Sequence, residues 1–145
     1  MEGMKLKARS INVRRRCPLG KLQVIVIEAC ELFCNQSKGQ SDPYCEVSMG
    51  SQVHKTKVVS NSINPKWNSS MQFLVKDLKQ DVLCITVFDR DLFSPNDFLG
   101  RTEIRVAEIH KYTKETMGPV TQRLLLYEVE TGEVVLKFDL QLFNN

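Results

Sequence analysis

From Lys21 onward, residues rich in Val, Ile, Leu, Phe and Thr recur in short runs of period-two character, each bounded by Gly, Pro, Asn, Asp or Ser. The pattern predicts eight strands, over residues 21–29, 44–49, 52–59, 70–76, 82–88, 99–105, 123–128 and 133–142. Met49, Gly50 and Ser51, and again Thr131 and Gly132, suit tight hairpin turns, while Pro43 and Pro65 stiffen loop exits. One stretch breaks the period. Val106, Ile109 and Tyr112 stand at approximately helical spacing before Gly118 and Pro119, which predicts a short helix over 106–116. Strand following strand without crossover helices argues antiparallel pairing, so the expected class is all-β, an eight-stranded antiparallel sandwich.

At 145 residues with 42% hydrophobic content, the chain can bury one ordinary core and leaves no room for a second domain of useful size. No apolar run approaches the roughly 20 residues that span a bilayer, so any membrane contact is expected to be peripheral. The first 16 residues lack the apolar core of a secretory signal, which favours a cytoplasmic setting. Residues 1–21 carry seven basic side chains against one acidic, while the remainder carries 13 basic and 16 acidic. Two readings of that basic start stand side by side: a solvated, flexible leader over 1–19, or a strip that lies on an anionic bilayer or nucleic acid. For the whole chain the expectation is a monomer that does not take nucleic acid. Five cysteines at positions 17, 30, 34, 45 and 84 show no Cys-x-x-Cys spacing, and four of them sit among apolar neighbours. They read as buried, reduced thiols, and His54 and His110 have no ligand-spaced cysteines that would make a zinc site.

The chemistry concentrates in the stretch from Val87 to Gly100. Asp89 and Asp91 lie two residues apart, on one face for as long as extended geometry lasts, and Asp97 returns after a Ser-Pro-Asn turn to face them. Three carboxylates at one end of a sandwich repel each other unless a cation lies between them, and irregular loops of oxygen donors suit Ca²⁺. The plainer alternative is that these aspartates only turn and solvate a loop. An Asp-x-Asp after a strand also occurs in aspartyl-phosphate enzymes and in metal-dependent glycosyl transfer, but such sites need a parallel α/β sheet. With no Gly-x-Ser-x-Gly, phosphate-loop or His-Glu-x-x-His pattern, the expectation is a protein that is not an enzyme.

Three segments in order, Gly39-Gln40-Ser41-Asp42-Pro43-Tyr44, Asn64-Pro65-Lys66-Trp67-Asn68 and the Asp-x-Asp loop closing on Asp97-Phe98-Leu99-Gly100, together resemble a C2 domain over residues 20–143. In detail, Met49-Gly50-Ser51-Gln52, Phe98-Leu99-Gly100-Arg101-Thr102-Glu103-Ile104 and Phe138-Asp139-Leu140-Gln141-Leu142-Phe143 are similar to the C2 domain at the carboxyl end of the intersectins, endocytic scaffolds and Cdc42 exchange factors.

The resemblance implies a Greek-key sandwich of the topology that opens directly on the first strand, and neighbouring exchange-factor and pleckstrin-homology (DH and PH) domains in a parent protein. It implies Ca²⁺ ligands at Asp42, Asp89, Asp91 and Asp97. The fifth acidic position of the family is occupied here by Gln36, which has a carbonyl oxygen but no charge, so binding is expected to be weakened. Leu92 and Phe93 fall at the tip of what the resemblance makes a membrane-facing loop. There the alternatives are insertion between lipid headgroups or one of the pair packing into the core. Lys55 and Lys57 alternate on the third predicted strand, either as a weak basic patch for anionic phospholipid or as a solvated strand face. Trp67 reads as a core or strand-anchor residue. The expected function is a peripheral membrane adaptor that docks on anionic phospholipid; the rival is a Ca²⁺-independent domain that packs on a protein partner.

Overall fold

The structure is a computed structural model that describes residues 17–34 and 41–144. Within them the chain forms β1 (Gly20–Cys30), β2 (Pro43–Met49), β3 (Gln52–Lys55), β4 (Lys66–Val75), β5 (Val82–Asp89), β6 (Asp97–Arg105), α1 (Val106–Thr116), β7 (Val120–Leu125) and β8 (Glu133–Leu142). The strands make two four-stranded antiparallel sheets, ordered β4-β1-β8-β7 and β3-β2-β5-β6, packed as a sandwich. The expected class and strand number hold, and α1 has the predicted bounds.

Strict alternation places the core. Leu22, Val24 and Val26 of β1, Cys45 and Val47 of β2, and Leu83, Ile85 and Val87 of β5 are fully buried, and so are Phe73 and Phe138 of β4 and β8. The residues between them point outward, as the pleat requires.

Local expectations are corrected at several places. The third strand ends at Lys55 rather than at 59, because the hydroxyl of buried Thr56 takes the place of its carbonyl and accepts the Cys45 N–H at 2.9 Å. The assigned strand stops there, so Lys57 lies just beyond it, exposed like Lys55 on the far side of buried Thr56. The seventh strand runs three residues earlier than predicted: buried Leu126 turns into the core, and Tyr127 exchanges backbone hydrogen bonds of 2.7 and 3.1 Å with Arg101 of β6. Thr131 and Gly132 therefore belong to the 126–132 connection and not to a two-residue hairpin. The Met49–Gln52 hairpin is as tight as expected, with Gly50 at φ 60°. Of the cysteines, all free, only Cys45 is buried; Cys30, Cys34 and Cys84 are half-buried and Cys17 is exposed.

The strands deliver four connections to one end of the sandwich: 31–42, 56–65, 90–96 and 126–132. The first carries Asp42 and the third Asp91, with Asp89 and Asp97 at the strand ends that flank the third. Leu19 and Phe143 meet at the opposite end, where the Phe143 N–H donates to the Leu19 carbonyl at 2.8 Å. No helix among the described residues is long and apolar enough to cross a membrane.

Candidate functional site

Asp42 enters the site because it precedes β2, whose first residue pairs with the last of β5; Pro43 lies opposite Asp89. Asp89 in turn lies opposite Asp97, the first residue of β6. Three of the four expected carboxylates are thus set side by side by strand register, and Asp91 follows in the loop between β5 and β6. All four are half-buried.

The same carboxylates knit the loops together. The Asp42 N–H donates to Asp89 Oδ1 at 2.8 Å, and Asp42 Oδ1 accepts the Asn61 N–H at 2.8 Å. Asn61 comes from the neighbouring connection and holds φ 55°, a left-handed conformation that Asn tolerates. The Arg90 N–H donates to the Asp42 carbonyl at 3.0 Å. Asp91 Oδ1 accepts the N–H groups of Phe93 and Ser94 at 2.9 and 3.2 Å, an Asx turn that folds the tip back on itself. Asn96 closes the loop: its Oδ1 accepts the Asp91 N–H at 2.9 Å and its Nδ2 donates to the Tyr44 hydroxyl at 2.7 Å. Tyr44 stacks on Phe88 with ring centroids 5.6 Å apart, which anchors the loop on the outer face of β2 and β5.

The donor set suits a hard cation in kind, since it is all carboxylate oxygen, and like charges on the cross-strand pair Asp89 and Asp97 are unfavourable by themselves. In number it is incomplete. Among the described residues no three His, Cys, Asp or Glu side chains are gathered into a group that could hold a metal ion. Gln36 and the basic segment 1–16 lie outside the described residues. Beside Asp42, the Ser41 hydroxyl oxygen is buried without a hydrogen-bond partner among the described residues.

Leu92 and Phe93 are both directed to solvent, 74% and 96% exposed, so neither is a core residue. Trp67 is buried, and its indole N–H donates to the Pro43 carbonyl at 3.1 Å, next to Asp42. Lys55 is 3.9 Å from Glu46, and Lys57 is exposed. Sequence reasoning missed Asn61 and the two-fold role of Tyr44; the only signal for either was an Asn flanked by serines and a Tyr at an outward β2 position.

The C2 domain family model matches residues 20–120. Over 138 residues the chain is 57% identical to Intersectin-1 of Homo sapiens, a match that covers 95% of this chain and 8% of that protein. It is 56% identical over 137 residues to Intersectin-2 of Mus musculus, 94% of this chain and again 8% of that protein. The chain thus spans less than a tenth of the length of these curated relatives. Among solved structures, the calcium-bound pair of C2 domains of Extended-Synaptotagmin 2 superposes with a TM-score of 0.75 at 30% identity, covering 87% of this chain and 47% of that one. A single C2 domain of plant Extended Synaptotagmin 1 has a TM-score of 0.78 at 21% identity, over 90% of this chain and all of that one, a likeness of fold. A family model that matches most of the chain makes it a member of the C2 domain family.

Proposed function

We propose that this domain is a peripheral membrane-docking module that engages anionic phospholipid through the 90–96 loop, with Ca²⁺ as a weakly bound modulator held by Asp42, Asp89, Asp91 and Asp97. The observation that carries the reading is the exposed pair Leu92 and Phe93 directly beside four half-buried carboxylates. An apolar pair held at a loop tip by its own Asx turn is ready to enter a headgroup layer, yet the neighbouring negative charge opposes approach to an anionic surface. When bound, Ca²⁺ supplies positive charge that cancels this field. Lys55 and Lys57 add attraction of about 1 kcal/mol each near an anionic surface, less for Lys55 because Glu46 is its neighbour. The parent is a longer protein of the endocytic-scaffold and exchange-factor kind, in which DH and PH domains precede this module and the whole acts at the cytoplasmic face of membranes.

One observation favours a second reading. The carboxylates already hold loop backbone, and no three stand together as a metal group among the described residues, which suits a Ca²⁺-independent domain that packs on a protein surface. Co-sedimentation with phosphatidylserine vesicles, with Ca²⁺ or chelator, separates the two for the native chain and for Asp89→Asn/Asp91→Asn. Ca²⁺-dependent binding lost in the variant supports the first reading. Binding indifferent to Ca²⁺ and variant moves the weight to the lysines, and no binding at all favours the second.

A further inference from the structure

β4 is the edge strand of its sheet, ten residues long, and its interior from Trp67 to Val75 has no charged residue and no proline. Edge strands of globular proteins are ordinarily blunted by charge, proline or a bulge, because a row of unpaired backbone groups recruits another strand. The upper part of β4 has such a device. Asn68 holds φ 47°, and the register with β1 shifts between Val26 and Glu28. The lower part is regular and is closed differently.

Gln52 and His54, two residues apart on β3, extend from the other sheet to the β4 backbone. The Gln52 amide reproduces a pair of strand hydrogen bonds: its Nε2 donates to the Leu74 carbonyl at 2.9 Å, and its Oε1 accepts the Leu74 N–H at 2.7 Å. His54 Nε2 lies 3.0 Å from the Gln72 carbonyl, with its ring edge-on to Phe73 at 5.0 Å. Two side chains here stand in for a neighbouring strand. The backbone groups they meet point away from β1, so they are the groups an added strand would use.

We infer that the 70–74 edge of β4 is a strand-pairing surface for a second copy of this chain, held closed by Gln52 and His54. The edge is complementary to itself. Antiparallel pairing about a twofold axis at Gln72 sets Ser70 opposite Leu74, Lys76 opposite Asn68 and Lys66 opposite Leu78, so no like charges face each other. Opening requires that β3 release these two side chains, and it leaves the β1–β4 ladder in place, since that ladder is made by the other backbone groups.

The test compares the full chain with Gln52→Ala/His54→Ala by sedimentation at tens of micromolar, together with amide exchange at Leu74. The native chain is expected to sediment as a monomer with Leu74 protected. The variant is expected to double in mass with Leu74 still protected, and adding Gln72→Lys, which sets two lysines opposite each other at the twofold, is expected to restore the monomer. A folded variant that stays monomeric with fast Leu74 exchange overturns the inference, as does a dimer indifferent to Gln72→Lys or a native chain that already dimerises there. If the double variant does not fold, Gln52→Leu removes both amide hydrogen bonds while keeping the side-chain bulk; mass doubling is again the supporting result and a monomer the overturning one.

Discussion

Replacing Phe93 by Ala separates membrane contact from folding, because the ring is 96% exposed and touches little that folding needs. A phenylalanine side chain offers roughly 150 Å² of apolar surface, which at about 25 cal/mol per Å² is worth about 4 kcal/mol when fully buried. A ring at a loop tip that enters the headgroup layer to half its depth gains about 2 kcal/mol, or about 30-fold in vesicle partitioning. Exposed positions of this kind change stability by at most about 0.5 kcal/mol, so the melting temperature is expected to move by no more than about 2 °C. The Asx turn survives, since Asp91 accepts from the backbone of residue 93 and not from its ring. Phe73→Ala, the same deletion at a fully buried position, is expected instead to cost about 3–5 kcal/mol of stability. Partitioning into phosphatidylserine vesicles by sedimentation, paired with thermal melting, reads both quantities. If the native chain binds vesicles and Phe93→Ala binds equally well, the ring does not insert and the reasoning from exposure fails.

Three further outcomes are expected. Ca²⁺ that binds only the native state raises its stability, by about 2.7 kcal/mol at 100 times the dissociation constant, so melting in millimolar Ca²⁺ against chelator should show an upward shift that Asp89→Asn removes; identical melts would sink the Ca²⁺ reading. Gly100→Ala is expected to destabilise by a few kcal/mol in denaturant titration, because Gly100 holds φ 124° and an added Cβ would lie 2.7 Å from Val129 Cγ1 and 3.0 Å from Leu126 Cβ; an unchanged midpoint would show that the 126–132 connection yields. Complete burial raises the Cys45 thiol far above its ordinary range, so its contribution is fully present below about pH 8.5, where the unfolded thiol is still protonated, and stability is expected to fall above that by up to about 1.4 kcal/mol per pH unit. The slope of stability against pH should be shallower in Cys45→Ala, and Cys45 should resist alkylation in the folded chain while exposed Cys17 reacts.

The strands most legible in advance are those whose alternation is sustained, β2, β5 and the first part of β1, because burial on one face leaves a period-two record in the residue types. β4 was half hidden. Its first residues are mostly polar, and they join the strand through pairing with β1 rather than through any pattern of their own. The early end of β3 and the shift of β7 turn on single buried residues, Thr56 and Leu126, whose partners are supplied by the tertiary fold. The latch that Gln52 forms on β4 was invisible for the same reason: Gln52 and its partner Leu74 are 22 residues apart, and neither type announces the other.

The location of the candidate site, with aspartates brought to one end of the sandwich, was legible in the sequence, but the hydrogen-bond network was not, and the network decides how the site is to be perturbed. Asp42, Asp89 and Asp91 each accept backbone N–H groups that fix the loops, those of Asp42 and Asp89 joining separate segments, so these carboxylates serve loop structure as well as charge. Truncation to alanine removes both and leaves N–H groups that had been paired without an acceptor, which by itself costs about 1–3 kcal/mol where they are buried. Asparagine keeps a side-chain oxygen in the place of Oδ1, removes the charge and turns the second oxygen into an amide donor. Asp→Asn variants that lose vesicle binding while melting within a few degrees of the native chain therefore locate the effect in electrostatics. Asp→Ala variants that lose both leave charge and loop structure confounded, and the difference between the two series measures how much of the acidic cluster is scaffold.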